Sequence, residues 1–177
     1  MRTARRDDLA ALVEIYNQAV RTGCQTAHTT PFTVEDRLQW FEDHPPEKYP
    51  IIITETEDGI LGYLSLSAYR PGRMALRHTA EVSTYVDSAH HRQGVGSVLL
   101  RYALDMCPSL DIKTLVAILL GNNRASIALL KKFGFQQWGW IPRAADFDGE
   151  EVDHVYYGKR ILLGDSDQET TCKDNDC

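Results

Sequence analysis

The stretch from Thr79 to Met106 restricts this chain more than any other. An extended run, Thr79 to Val86, enters a short loop that holds Gly94 and Gly96. It leaves as an amphipathic helix with Val95, Val98, Leu99, Tyr102, Ala103 and Met106 on one stripe. Glycines let a backbone approach a ligand closely. The first amides of a helix lack internal partners and sit at the positive end of its dipole. Such a turn is a place for an anion, and a pyrophosphate suits it, with His91 and Arg92 adding charge at the rim. It is not a dinucleotide fingerprint, because Leu99 stands where the third glycine belongs, and no Gly-Lys-Ser/Thr makes it a Walker loop. Taken alone, the two glycines also read as no more than a tight strand-to-helix turn.

The flanking patterns predict a mixed α/β fold. Leu9, Leu12, Val13, Tyr16 and Val20 recur at helical spacing, predicting a helix over 7–21. Thr33-Val34-Glu35-Asp36 reads as a second helix start, although a full capping box needs Glu or Gln where Asp36 stands. Leu38 and Phe41 give that helix an apolar side before His44-Pro45-Pro46 stops it. Ile51–Ile53 and Ile60–Leu66 read as strands joined through Asp58-Gly59. Leu115 to Leu119 reads as a strand buried on both faces. A further helix ends near Phe133-Gly134, and Phe135–Ile141 and Val152–Ile161 supply late strands. After two helices the order is β-β-β-α-β-α-β-β, a mixed central sheet with helices on both faces.

A length of 177 residues suits one domain with its own core. Residues 1–164 form that domain. Residues 165–177 hold five acids and one lysine, −4 of the net −6, with few apolar side chains, and read as a solvated acidic tail. The net charge argues against a nucleic-acid surface. No apolar run spans a bilayer, and the N-terminal residues lack the apolar core of a signal peptide. Cys24, Cys107, Cys172 and Cys177 are scattered without zinc spacing, so free thiols, no metal and a cytoplasmic location are expected.

Several motifs in order now carry a resemblance. His91-Arg92-Gln93-Gly94-Val95-Gly96 is similar to the Gln/Arg-x-x-Gly-x-Gly/Ala signature of the GNAT superfamily of N-acetyltransferases, which bind acetyl-CoA. Asn123-Arg124-Ala125-Ser126 resembles that family's Asn-x-Ala-Ser helix start, and Lys131-Lys132-Phe133-Gly134-Phe135 its helix-ending Gly-Phe. Glu81-Val82-Ser83-Thr84-Tyr85-Val86 is similar to the Glu-x-Ser-x-Tyr-Val of the phosphinothricin and methionine sulfoximine acetyltransferases. Thr26-Ala27, Glu35-Asp36-Arg37 and Trp40-Phe41 also resemble that subgroup.

The resemblance implies a GNAT fold, acetyl-CoA as acetyl donor, a small-molecule amine as acceptor, and a homodimer. Arg92, Gln93, Gly94, Val95, Gly96 and Ser97 would cradle the pyrophosphate, with His91 at the start of the signature. Thr84, Tyr85 and Val86 would lie beside the pantetheine arm as an added strand does. Asn123 would hydrogen-bond that arm, and is equally suited to cap its helix. Glu81 would be the general base; a carboxylate in an otherwise uncharged strand needs a partner or a purpose. Its plainer alternative is an edge-strand glutamate in solvent. Arg73 matches an arginine near the amino-acid substrate, or is an ordinary loop arginine.

Four positions depart from the pattern. His91 replaces Gln/Arg. Leu130 stands where relatives place a Tyr or His near the departing sulfur, and cannot protonate a thiolate. Leu76 replaces an aromatic, and Glu151 replaces a tryptophan. The expected activity is acetyl transfer to the amine of a small amino acid or analogue by direct attack, without an acetyl-cysteine intermediate. The alternatives are a peptide or protein N-acetyltransferase and a non-catalytic acyl-CoA-binding module.

Overall fold

A computed structural model describes residues 1–161. The acidic tail expected over 165–177 lies outside the described residues, as do the last three residues of the expected 1–164 domain. The strands are β1 (Arg2–Thr3), β2 (Ile51–Thr56), β3 (Gly59–Ala68), β4 (Thr79–Val86), β5 (Thr114–Leu120), β6 (Gln136–Phe147) and β7 (Glu150–Arg160). The helices are α1 (Leu9–Thr22), α2 (Leu38–Glu42), α3 (Val95–Met106) and α4 (Arg124–Lys132). One seven-stranded sheet runs β1-β2-β3-β4-β5-β7-β6. Among the described residues its only parallel neighbours are β4 and β5.

Strand alternation sorts the apolar residues into two cores. Ile52, Leu64, Leu66, Ala80 and Val82 point to one face, where Leu99, Leu100 and Ala103 of α3 and Leu130 of α4 cover them. Ile51, Ile53 and Tyr63 point to the other, against Leu12 and Ile15 of α1 and, at the margin, Trp40 and Phe41 of α2. The same alternation carries function along β4. Ala80 and Val82 enter the α3 core, so Glu81, Ser83 and Tyr85 face the α1/α2 side.

The elements follow the sequence reading with informative differences. The first helix opens as a 3-10 turn, Arg6–Asp8, before α1 begins at Leu9. Asp36 closes the capping box after all: its carboxylate accepts from Thr33 N at 2.8 Å, and Thr33 Oγ1 accepts from Asp36 N at 3.2 Å. The turn it starts is a 3-10 turn, Glu35–Arg37, ahead of a short α2. β6 runs well past Ile141, through a register shift between Ile141 and Ala145 that accommodates Pro142. A turn with positive φ at Asp148 (53°) and Gly149 (97°) joins it to β7. β1, two residues long, is too short to leave a periodic signal.

Cys107 ends α3 as a structural thiol. It is fully buried, donates to Ala103 O at 3.1 Å, and burial pushes its pKa up to about 12. Trp138 and Trp140 are exposed, and Trp138 lies over Gly158.

Candidate active site

The site begins where two strands part. β4 and β5 are paired from Thr79↔Thr114 to Glu81↔Val116 and no further, although β4 continues to Val86 and β5 to Leu120. The β5-facing edge of β4 beyond Glu81 is therefore unpaired among the described residues, a place for an extended chain to add as a strand does. A narrow cleft of about 60 Å³ fills this fork, lined by Ser83, Thr84, Tyr85, Ala117, Asn123 and Leu130 among others.

On the α3 side the fork opens into a cavity of about 440 Å³, lined by Thr84, Val86, His91, Arg92, Gly94, Val95, Gly96, Ser97 and Asn123. No side chain among the described residues caps the N-terminus of α3, which leaves its first amides for a ligand. Arg92 (φ 60°) and Gly94 (φ 87°) are both left-handed, and turns of this kind converge successive backbone N–H groups on an anion. Gly96 sits where a Cβ would meet Leu129 Cδ2 at 3.2 Å, so the loop and α4 are packed as closely as a glycine allows.

Not every loop residue presents its side chain. The His91 ring bonds through Nε2 to Val86 O at 3.0 Å and stays beside the loop. Gln93 turns back to donate to Ala89 O at 3.1 Å and does not line the cavity. Asn123 Oδ1 accepts from Ser126 N at 3.1 Å, so its capping role is met while its residue borders both the cleft and the cavity.

On the α1/α2 side the fork opens into a second cavity, about 370 Å³, lined by Tyr16, Arg37, Trp40, Ser65, Ser67, Glu81, Ser83, Tyr85 and His154 among others. Glu81 is not an edge-strand glutamate in solvent. β4 is an interior strand, and burial alone raises the Glu81 carboxyl pKa above its ordinary value. The Tyr85 ring packs on this side against Tyr16 (4.8 Å) and Tyr63 (5.3 Å), so Thr84 and Val86 serve one cavity and the Tyr85 ring the other.

Gln93 thus departs from the sequence reading, which put it in the pyrophosphate cradle, and two further findings depart as well. Arg73 is exposed in the loop after β3 and lines none of these three cavities. The cation that the second cavity does hold is Arg37, its guanidinium 4.0 Å from the Trp40 ring centre and 4.9 Å from that of Tyr16. Among the described residues it has no ion-pair partner. Gln25, just past the αL cap Gly23 of α1, lines all three spaces. A loop glutamine carries no periodic or motif signal that would have marked it. Leu130 is buried at the cleft, as an apolar wall. Among the described residues no group of three His, Cys, Asp or Glu is placed to hold a metal ion. No helix among them is long and apolar enough to cross a membrane.

Residues 9–135 match the model of the acetyltransferase (GNAT) family. The chain belongs to this family. Among its GNAT relatives is YwnH of Bacillus subtilis (strain 168), which carries a phosphinothricin acetyltransferase name; it is 40% identical over 91% of this chain and 98% of its own. The L-methionine sulfoximine/L-methionine sulfone acetyltransferase of Pseudomonas aeruginosa is 30% identical over 88% of this chain and 91% of its own. Among solved GNAT structures, the phosphinothricin acetyltransferase of Sinorhizobium meliloti in complex with acetyl-CoA superposes with a TM-score of 0.86. It is 27% identical, covering 97% of this chain and 92% of that one. The chain is thus an acetyltransferase by family, and it has the mixed GNAT sheet expected from its sequence, with β1 as a further strand.

Proposed function

We propose that this protein transfers acetyl from acetyl-CoA to the primary amine of a small amino acid or analogue, of the phosphinothricin or methionine sulfoximine type. The observation that carries the reading is the position of Glu81, at the point where the forked strands join the two cavities. The α3-side cavity has the shape and the free amides for a diphosphate, the cleft suits the pantetheine arm, and the second cavity suits the acceptor.

Glu81 then takes a proton from the acceptor's ammonium, directly or through a water, and a raised pKa favours that uptake near neutral pH. The freed nitrogen attacks the thioester carbonyl. The N–C bond forms, the C–S bond breaks, and CoA leaves as thiolate, which needs no acid at Leu130 because thiolates are good leaving groups; the second proton shed by the nitrogen passes to that thiolate or to water. The amino-acid class is supported by Arg37, a cation in the acceptor cavity that has no ion-pair partner among the described residues and is suited to a carboxylate. The same reading includes a cytoplasmic homodimer, for which exposed Met74, Leu76, Trp138, Trp140 and Ile141 offer apolar surface.

Release of CoA thiol, measured across a panel of amino acids, simple amines and peptides, tests the proposal. Turnover confined to small amino acids or analogues supports it. Turnover on peptides alone replaces it with a peptide acetyltransferase, and acetyl-CoA binding with no turnover on any amine replaces it with a binding module.

A further inference from the structure

The acceptor cavity has a polar wall that the proposed mechanism leaves unused. Ser67 of β3 is the register partner of Glu81 on β4, and both residues line the cavity. Side chains of directly paired antiparallel residues lie on one face, with Cβ atoms about 5 Å apart. Behind Ser67 stands His44, buried just past α2, with only 8% of its surface exposed. Its Nδ1 lies 2.5 Å from Trp40 O and its Nε2 lies 2.8 Å from Ser67 Oγ.

These two contacts fix where the protons are. A carbonyl oxygen can only accept, so the His44 Nδ1 carries a hydrogen and donates it to Trp40. Burial lowers the pKa of the ring, keeping it neutral. Its Nε2 is therefore bare and accepts, so the Ser67 hydroxyl donates to it. The Ser67 hydrogen is thereby committed away from the cavity, and the hydroxyl has only lone pairs to offer there.

We propose that His44 holds Ser67 as an obligate hydrogen-bond acceptor beside Glu81, and that the two oxygens together hold the acceptor nitrogen by two of its N–H bonds. This rests on the reading of Glu81 as the group that receives the amine. Ser67 touches the substrate, and His44 is a positioning residue that acts through it. The arrangement selects primary amines. A secondary amine offers one N–H fewer and carries an apolar substituent where Ser67 presents a lone pair, and an unpaired polar group costs most inside a partly closed site.

The test uses the best amino-acid acceptor from the thiol-release panel and its N-methyl analogue. Ser67→Ala is expected to lower kcat/KM for the primary amine about tenfold, the scale of one hydrogen bond, mainly through KM. It should lower kcat/KM for the N-methyl analogue much less and leave acetyl-CoA affinity near wild type, while the melting temperature falls somewhat because the buried His44 Nε2 loses its donor. His44→Phe, which keeps the ring volume without the acceptor, should reproduce the loss, and His44→Phe/Ser67→Ala should be no worse than Ser67→Ala. His44→Gln, whose amide oxygen can accept, should recover part of the activity. Wild-type kinetics in Ser67→Ala, equal losses on both amines, or additive losses in the double variant overturn the proposal. Ser67→Ala alone decides where a His44 variant does not fold. Glu81→Gln runs in parallel: if it keeps full turnover, the reading of Glu81 fails first; if it loses turnover while Ser67→Ala does not, only the present inference fails.

Discussion

Glu81 and Val116 form the last pair of the parallel ladder between β4 and β5. One residue further along, the strands have separated, and the carboxylate stands at the crotch of the fork. This places it next to the cleft that would hold the pantetheine arm and inside the wall of the cavity that would hold the amine. Glu81→Gln preserves shape and removes the base. Its turnover at neutral pH should fall about a hundredfold or more, the scale of a lost general base, with acetyl-CoA affinity nearly unchanged. Thiol release and calorimetric titration with acetyl-CoA measure the two halves, and unchanged turnover removes Glu81 from the mechanism.

The same residue predicts two opposite pH effects. Burial raises the carboxyl pKa in the folded chain, so the folded state binds the proton more tightly than the unfolded one. Its contribution to stability is therefore present below the unfolded pKa and lost as pH rises through the folded pKa. At neutral pH the ionised Glu81 is a cost, and Glu81→Gln should melt at a higher temperature than wild type. The gap should close on acidification below the ordinary glutamate range. Activity runs the other way. The acid limb of kcat/KM should lie above the ordinary carboxylate range and disappear in Glu81→Gln. Parallel melting curves and pH–rate profiles of the two proteins check both signs.

The sequence made the frame of this site visible because its strongest signals are backbone signals. The run Thr79–Val86 coincides with β4, and the stripe from Val95 to Met106 coincides with α3. The glycines that join them do sit where a side chain would strain or crowd: Gly94 is left-handed, and Gly96 faces Leu129. What was hidden depends on three-dimensional convergence. Gln25 reaches three cavities from a loop that no period describes. Tyr85 belongs to a different face from Thr84 and Val86, which alternation implies, although a motif match treats the three as a block. Arg73 matched by position and yet lies outside the cavities, whereas Arg37, in a segment that resembled the subgroup but was given no role, lines the second cavity.

Gly96 offers the sharpest test of the cofactor loop. A Cβ there already meets Leu129 Cδ2 at 3.2 Å, with Val86 Cγ2 at 3.8 Å behind it. Valine adds two further methyl groups toward α4 and into the cavity that Gly96 lines. Gly96→Val should abolish measurable acetyl-CoA binding by titration calorimetry and cost some stability through overpacking, about 1–3 kcal/mol. Normal binding by the variant would mean that the diphosphate lies elsewhere and that the loop is only a turn.

The acceptor's own charge is the last question that the cavity poses. A free amino acid carries a carboxylate close to the reacting nitrogen, and a guanidinium is the side chain best matched to it. Arg37 is held among Tyr16, Phe32 and Trp40, its carbon 4.0–5.3 Å from their ring centres, without a carboxylate partner among the described residues. The rings fix the guanidinium in place and leave its donors to a ligand. Arg37→Gln should therefore raise KM for amino-acid acceptors on the order of tenfold or more, as loss of a charge-assisted hydrogen bond does. It should change KM little for the matching decarboxylated amines. Arg73→Gln, in the exposed loop, supplies the comparison. If Arg73→Gln raises the amino-acid KM and Arg37→Gln does not, the carboxylate is bound by a residue outside this cavity, and the aromatic setting of Arg37 serves only to pack α2 against the sheet.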